Sequence, residues 1–305
     1  MLPSILSKLS PKNKIMQHGC TWNKFSFKPH NINHDVAIEL AVEVHQPAQD
    51  KVHTVLIVCH GRERDAMQIL RQARQNLSDE NVLIIAPKFL NGTDSANTAG
   101  QASNLLIWRG NDWGEGGPSK STAGSPITSF EVLDAIISYY SDPTRFTRLK
   151  KVVLVGHSLG GQLVQRYSVL GKATKHAEHL EPIFVVMNPS TYLYLRDDIP
   201  YKYGLAGRQK AFAHYSSAAS ISTQELTLRF RQRKVHYLHG ERDLGTGDER
   251  PLAMAQGRNR FERSQNWCNH LHSLVWPATH TFAYVPNVGH DAGKMMASSH
   301  FKSIL

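Results

Sequence analysis

An apolar run that ends in a glycine-flanked serine places the strongest constraint on how this chain can fold. The run Val152–Val155 leads directly into Gly156-His157-Ser158-Leu159-Gly160-Gly161, and the residues that follow, up to about Leu170, have a helical pattern. Because the run is apolar throughout, it predicts a strand in the centre of a sheet. The turn from strand to helix must be sharp enough to strain the serine backbone, and glycines on both sides remove side chains that would collide there. The sequence therefore predicts that Ser158 is held at the carboxyl end of a sheet, in front of a helix.

Short apolar runs alternate with helix-like segments along most of the chain. This alternation is typical of a mostly parallel sheet that is covered by helices on both faces. The first run, Val36–Val44, alternates apolar and polar residues, as an edge strand or an antiparallel strand does. Helices are predicted over Ser129–Tyr140, where Thr128 and Glu131 form a candidate capping box, and from Asp291 towards the C-terminus. The other predicted strands are Thr54–Cys59, Val82–Ala86, Val152–Val155, Ile183–Met187, Val235–Leu238 and Thr281–Val285.

Two long intervals between the predicted elements do not fit compact connections. The interval Asn91–Ser125 contains two tryptophans, which an ordinary solvent loop rarely does. The interval Pro189–Gln232 contains five tyrosines and predicts a helical cap over the sheet. Because 305 residues fit one large domain, we expect an N-terminal extension over residues 1–34, followed by an α/β domain over residues 35–305 with a cap insertion at about 189–232.

The formal net charge of +10 raises the question of an anionic partner such as nucleic acid. The basic residues are dispersed, however, and no recognised nucleic-acid-binding module accompanies them, so we expect no nucleic-acid partner. The densest basic run, Arg229–Lys234, precedes an apolar strand, which predicts a solvated sheet edge. No segment has the length and apolarity of a signal peptide or a membrane span, and the three cysteines fit a reducing compartment. We therefore expect a cytoplasmic protein with no membrane span.

A serine hydroxyl is a weak nucleophile until a neighbouring base takes its proton, so the Ser158 turn predicts a histidine near the end of the domain. His290 meets this requirement because it lies in a short loop after the last predicted strand. Parallel strands end at the same edge of a sheet, so this loop and the Ser158 turn are expected to meet. The sequence therefore predicts that Ser158 is a nucleophile and that His290 is its general base.

The third member of such a site is a carboxylate that holds the imidazole in the useful tautomer, and it lies between the serine and the histidine in the chain. Asp243 follows the penultimate predicted strand after a glycine turn, where such a carboxylate would be delivered. Glu241 and Asp248 are the alternatives. The end of the preceding strand reads Met187-Asn188-Pro189-Ser190, which offers no carboxylate. We therefore predict that Asp243 is the acid.

Negative charge on the carbonyl oxygen of a transition state needs backbone N–H donors. One donor is expected from Leu159, the residue after the predicted nucleophile. The other is expected from the strand end Cys59-His60-Gly61-Arg62, with the N–H of Arg62 as the candidate and that of Gly61 as the alternative. These two donors would form an oxyanion hole beside Ser158.

Four motifs together resemble the α/β-hydrolase superfamily. They are the GHSLGG turn at 156–161, the HGR loop at 60–62, the GERD turn at 240–243 and the VGHD loop at 288–291. The resemblance extends from about Val36 to the C-terminus. It implies an α/β-hydrolase fold with a mostly parallel central sheet, helices on both faces and a small cap between the strand that leads to Asn188 and the strand that contains His236. It also implies the catalytic triad.

More narrowly, the two tryptophans of the first long interval and the segments Ser129–Asp134 and Gly161–Tyr167 resemble a group of bacterial and fungal hydrolases whose substrates are poorly assigned. The resemblance implies the fold and the triad, not the substrate. The chain has no oxyanion motif of the HGGG type that some esterases and lipases contain, so their substrate classes are not implied.

The expected reaction is hydrolysis of a carboxylic ester through an acyl-enzyme on Ser158, and thioesterase, amidase and acyltransferase variants use the same machinery. The partner is then a small-molecule acyl substrate. Aromatic residues of the two long intervals, with Trp108 and Tyr192 as candidates, predict contacts with a small or medium apolar acyl or aryl group. The alternative function is a catalytically silent α/β-hydrolase fold that binds a ligand or a protein.

The sequence contains no phosphate-binding loop and no dinucleotide-binding fingerprint, so we expect no cofactor. Two groups of residues could be drawn as metal ligands: His176 with His179, and Cys268 with His270 and His272. Neither group has a matching second half at zinc-site spacing, so we expect no bound metal.

Overall fold

The computed structural model describes residues 19–30, 32–94, 104–120, 126–173, 180–274 and 276–305. Within these residues, eight strands form one sheet and two short strands form a separate pair. The strands are β1 (Cys20–Phe27), β2 (Val36–Glu43), β3 (Thr54–Cys59), β4 (Val82–Lys88), β5 (Leu90–Asn91), β6 (Ile107–Trp108), β7 (Lys151–His157), β8 (Ile183–Met187), β9 (Lys234–Gly240) and β10 (His280–Val285).

Helices connect most of these strands. The α-helices are α1 (Ala66–Gln75), α2 (Ser129–Tyr140), α3 (Leu159–Leu170), α4 (Arg208–Ala211), α5 (Ser216–Ala219), α6 (Thr223–Gln232), α7 (Pro251–Met254), α8 (Arg260–Ser273), α9 (Ala292–Ala297) and α10 (Ser299–Lys302). Within the described ranges, 3-10 helices cover Gln49–Lys51 and Asp112–Glu115. In the described part of the chain, no helix is both long enough and apolar enough to cross a membrane.

The sheet confirms the predicted α/β architecture. Its strand order is β1-β2-β4-β3-β7-β8-β9-β10. Each of the strands β4, β3, β7, β8, β9 and β10 is parallel to its neighbours within this group. β7 lies in the centre between β3 and β8, and β2 is antiparallel to β4, both as predicted. Because β7, β8, β9 and β10 are parallel neighbours, the loops that follow them meet at one edge of the sheet.

The edge strand β1 lies within the predicted N-terminal extension, where no strand was expected. It pairs with β2 along its whole length, from Cys20 opposite Glu43 to Phe27 opposite Val36. Most of its side chains are exposed, so the strand has no apolar periodicity that would reveal it. Its backbone nevertheless pairs with the outer edge of β2, which is therefore antiparallel but not an edge strand.

Alternate residues on the central strands form two apolar cores, one on each face of the sheet. On β3, Val55 and Ile57 pack into the core that includes residues of α2, α3 and α8. Leu56 and Val58 pack into the core that includes residues of α1, α9 and α10. Burial on both faces is what an apolar run in a central parallel strand predicts. The two cores fix the strands whose carboxyl ends carry the residues described below.

Several predicted element boundaries are confirmed. β3, β8 and α2 have the predicted bounds, and Thr128 and Glu131 form the capping box at the start of α2. The predicted C-terminal helix is instead two short helices, α9 and α10. The chain leaves helical geometry at Ser298, whose hydroxyl oxygen accepts the N–H of Phe301 and caps α10.

The basic run Arg229–Lys234 is only partly solvated, which corrects the prediction of a solvated edge: Lys234 is exposed, whereas Arg233 is buried. The buried guanidinium of Arg233 donates to carbonyl oxygens at the end of α3, those of Tyr167, Ser168, Gly171 and Lys172. Arg229 donates to the neighbouring carbonyls of Val169 and Leu170. The last carbonyls of a helix lack helical partners and carry partial negative charge, so two guanidinium groups stabilise this end.

The segment between β8 and β9 forms the predicted cap, which contains α4, α5 and α6. Its Tyr215 hydroxyl donates to the Asp134 carboxylate of α2 over 2.7 Å, and the Tyr167 hydroxyl of α3 donates to the same carboxylate over 2.7 Å. Burial raises the pKa of Asp134 to about 6, although these donors act in the opposite direction. One buried carboxyl thus ties the cap to two helices of the main domain.

Candidate active site

Ser158 lies at the turn between β7 and α3, with the strained backbone that the sequence predicts. Its φ is 59° and its ψ is −119°, a conformation that costs a non-glycine residue about 1–3 kcal/mol. The Ser158 N–H donates to the carbonyl of Met187 over 3.0 Å, which ties the turn to the end of β8. A Cβ at Gly156 would lie 2.2 Å from the carbonyl oxygen of Gly160, and one at Gly160 would lie 2.3 Å from that of Cys59. Both glycines are therefore required by close backbone contact.

The structure brings together the three residues predicted as a triad. Nε2 of His290, in the loop after β10, lies 2.8 Å from Oγ of Ser158. Nδ1 of the same ring lies 2.7 Å from Oδ2 of Asp243, in the turn after β9. The three side chains thus form a continuous hydrogen-bonded chain from carboxylate to imidazole to hydroxyl.

The two alternative carboxylates lie elsewhere. Asp248 accepts hydrogen bonds from the Arg250 guanidinium and from the Tyr203 hydroxyl, at 2.6 and 2.9 Å. Burial would raise its pKa, but the hydrogen bonds from Arg250 and Tyr203 outweigh burial and hold the pKa at about 2. Glu241 is exposed. Of the three candidates, Asp243 is the one that contacts the imidazole.

Asp243 is ionised in this environment although its side chain is only 2% exposed. Burial would raise its pKa, but the hydrogen bond and charge of His290 together with the Arg260 guanidinium lower the pKa below its ordinary value. Nη1 of Arg260, on α8, lies 3.3 Å from the second carboxylate oxygen. Arg260 was not predicted as a site residue, because nothing in its local sequence indicates that α8 approaches the turn after β9.

The ring of His157 packs against that of His290, with 4.5 Å between the ring centroids. Burial lowers the pKa of His157 to about 3, so its ring is neutral and does not repel an imidazolium at position 290. Asn188, directly after β8, places its side-chain Nδ2 3.5 Å from Nε2 of His157. His157 is therefore a neutral wall of the site.

The loop after β3 lies close to Ser158, and hydrogen bonds hold one of its carbonyl groups in place. An added Cβ on Gly61 would lie 3.5 Å from Cβ of Ser158, so this loop passes close to the serine. The Gly61 carbonyl accepts the N–H of Arg64 at 3.1 Å and the Nδ1–H of His60 at 2.9 Å. Because the C=O and the N–H of one trans peptide point in opposite directions, this anchoring directs the Arg62 N–H away from the loop interior.

His60 is a second residue whose role was not predicted from the sequence. Its Nε2 accepts the Phe89 N–H at 3.0 Å, so Nδ1 carries the proton that it donates to Gly61. Burial lowers the pKa of His60 to about 4, which keeps this tautomer neutral. Among the loop residues that the structure describes, no backbone acceptor takes the N–H of Arg62. That Leu159 and Arg62 are the oxyanion donors stays a prediction.

Two clefts of about 550 and 490 Å³ meet at Ser158, and Arg62 and Arg260 line both. Most of the side chains that line them are polar or charged. Among the described lining residues, the apolar side chains are Ile69, Ala292 and Leu159. The clefts therefore present few apolar side chains to a substrate.

Trp108 and Tyr192 do not line either cleft, which corrects the expectation that they contact the substrate. Both side chains are 0% exposed. Trp108 packs edge-on against Phe89, and Tyr192 stacks on Trp267 with its hydroxyl 2.6 Å from Nε2 of His239. Large aromatic side chains in long intervals here complete the core.

Of the residues considered as metal ligands, His176 and His179 lie outside the described residues. Cys268 and His272 lie on one face of α8, with Sγ 3.7 Å from Nδ1. His270 packs against the ring of Tyr194. Within the described ranges, no group of three or more His, Cys, Asp or Glu side chains could hold a metal ion.

No protein-family model matches the sequence, and no curated protein matches it either. Solved structures are similar over nearly the whole chain. A poly(3-hydroxybutyrate) depolymerase from Bordetella parapertussis is 19% identical with a TM-score of 0.65, covering 94% of this chain and 90% of its own. A poly(aspartic acid) hydrolase from Sphingomonas sp. KT-1 is 17% identical with a TM-score of 0.63, covering 92% of this chain and 97% of its own. With the strand order and the serine turn described above, these similarities show that the chain has the α/β-hydrolase fold.

Proposed function

We propose that the protein is a serine hydrolase that cleaves a carboxylic ester, or a related acyl compound, through an acyl-enzyme on Ser158. The observation that carries this proposal is the hydrogen-bonded chain from Asp243 through His290 to Ser158, with distances of 2.7 and 2.8 Å. A His290–Asp243 pair that served only stability would not need Ser158 beside it in a strained turn at the end of a central strand.

The geometry supports a definite assignment of protons. An ionised carboxylate only accepts hydrogen bonds, so Nδ1 of His290 carries a proton towards Asp243. In the neutral ring, Nε2 is then an acceptor, and the Ser158 hydroxyl donates to it. This is the tautomer that a general base needs in order to take the serine proton.

The reaction follows from this arrangement. As the Ser158 oxygen attacks the carbonyl carbon, His290 takes the hydroxyl proton, and the N–H groups of Leu159 and Arg62 donate to the developing oxyanion. The imidazolium then protonates the departing alcohol, which leaves an acyl group on Ser158. Water attacks this ester, His290 takes the water proton and returns it to Ser158, and the carboxylic acid is released.

A fluorophosphonate probe tests the proposal directly, because it reacts with an activated serine and needs no knowledge of the substrate. Intact-mass measurement should show one added phosphonyl group, and peptide mapping should place it on Ser158. The Ser158→Ala variant is the control and should stay unlabelled. Folded wild-type protein that gains no mass would contradict the proposal and would favour a ligand-binding module on the same fold.

The polar walls of the clefts support a substrate with short or polar groups on both sides of the scissile bond. Each additional methylene gains binding energy only where a pocket buries it, and few apolar side chains line these clefts. We therefore expect kcat/KM for a butanoyl ester to exceed that for the dodecanoyl ester of the same alcohol by about tenfold or more. Initial rates measured below the micelle concentration check this. A preference for the dodecanoyl ester would restore the apolar substrate expected from the sequence.

A further inference from the structure

We propose that Asn188 is a positioning residue that holds the three triad-bearing loops in register with one another. It lies directly after β8, between the strands that carry Ser158 and Asp243, and its side chain contacts all three segments. The consequence for catalysis rests on the proposed function, whereas the placement of the loops does not.

The side-chain amide of Asn188 uses both ends. Its Oδ1 accepts the N–H of Gly240 at 2.9 Å, at the start of the turn that carries Asp243. Its Nδ2 donates to the carbonyl of Gly289 at 3.1 Å, in the residue directly before His290. The same Nδ2 faces Nε2 of His157, the residue directly before Ser158, at 3.5 Å.

The backbone around Asn188 makes the same connections. Its own N–H donates to the carbonyl of Leu238 in β9 at 3.2 Å, while the preceding carbonyl of Met187 accepts the N–H of Ser158. The φ of Asn188 is 46°, in the left-handed region that asparagine tolerates better than most residues. The residue is 0% exposed, so water cannot replace these hydrogen bonds.

The chemistry of the contacts selects an amide at this position. One end of the side chain must accept from Gly240, and the other must donate to two acceptors, the Gly289 carbonyl and the His157 ring. An aspartate has the same shape but no donor, and a leucine has neither group. The ring of His290 packs against the ring of His157. By contacting His157, the Asn188 amide therefore also helps to fix the surface against which His290 packs.

Two variants with opposite chemistry test the proposal. Asn188→Gly suits the left-handed backbone and deletes the amide, so we expect kcat to fall roughly 100-fold with KM little changed, as for a misplaced catalytic group.

Asn188→Asp keeps the shape and adds a negative charge near a site already faced by Asp243, Asp291, Arg260 and His157. The charge stabilises a protonated ring at position 290, so the acidic limb of the pH–rate profile should move up by about one pH unit.

Gln165→Glu is the matched control. Gln165 is also a fully buried amide that bridges one backbone unit, accepting the N–H of Leu193 at 2.9 Å and donating to its carbonyl at 3.4 Å. It lies seven residues after Ser158 on α3, about 10 Å along the helix. The exchange of amide for acid there is expected to lower the melting temperature but to leave the acidic limb of the pH profile in place.

An NMR pH titration of the His290 ring separates this proposal from the proposed function, because it needs no turnover. A shifted titration in Asn188→Asp, together with slower fluorophosphonate labelling of Asn188→Gly, supports the positioning role. Wild-type protein that never labels counts against the hydrolase, while the titration still decides the placement. If either folded Asn188 variant labels and titrates as the wild type does, the positioning role is wrong.

Discussion

Ser158→Ala is expected to lower kcat for ester hydrolysis roughly 10⁶-fold. The variant lacks the oxygen that attacks the carbonyl in the proposed mechanism, so His290 would have no hydroxyl to deprotonate and no acyl-enzyme would form. The N–H groups of Leu159 and Arg62 remain in place, and they should leave a residual rate above that of water alone. Initial rates with a short chromogenic ester, measured at high enzyme concentration, check the prediction.

The folded state of this variant provides its internal control. Alanine keeps the same left-handed backbone requirement as serine at φ 59°, and the hydroxyl makes its hydrogen bond to a residue that is partly exposed. The melting temperature should therefore stay close to that of the wild type, so that a loss of rate cannot be attributed to unfolding. If the folded variant keeps most of the wild-type rate, the nucleophile is another residue.

Asp243→Asn is expected to lower kcat about 10⁴-fold near neutral pH. The substitution preserves shape but removes the charge that stabilises the imidazolium, and the asparagine NH₂ can donate to Nδ1. A ring that accepts at Nδ1 carries its proton on Nε2, where it can no longer take the serine proton. The pH–rate profiles of wild type and variant, measured with the same ester, check this effect.

Asp248→Asn is the matched control for this prediction, since it makes the same chemical change five residues later. Asp248 pairs with Arg250 and Tyr203 and not with the imidazole, so its loss should affect KM or stability more than kcat. A greater loss of kcat in Asp248→Asn than in Asp243→Asn would move the assignment of the acid to Asp248.

The parts of the fold that could be predicted from the sequence are those in which burial leaves a periodic trace. β3 and β8 have the predicted bounds because each is a short apolar run buried between helices, and the capping box of α2 consists of two residues three positions apart. β1 left no such trace, because its side chains are mostly exposed and its contribution to the sheet is made by the backbone. Helix α8 is rich in charged and polar residues and was missed for a similar reason.

The candidate site divides in the same way. Ser158, His290 and Asp243 could be located because each follows a predicted strand at one edge of a parallel sheet. Asn188 and Arg260 could not, since their roles depend on which loops come within reach after folding. The aromatic residues Trp108 and Tyr192 were misjudged because composition alone does not distinguish a side chain that lines a cleft from one that fills a core.

At Ser158, the residue that would best suit the left-handed backbone differs from the residue that the proposed reaction needs. Glycine would adopt this conformation without steric cost, so a chain selected for resistance to unfolding alone would favour it there, yet it would have no oxygen to offer. A consensus or thermostabilising redesign of this protein should therefore leave residue 158 untouched and gain its stability at the termini of helices or on the exposed edge strand.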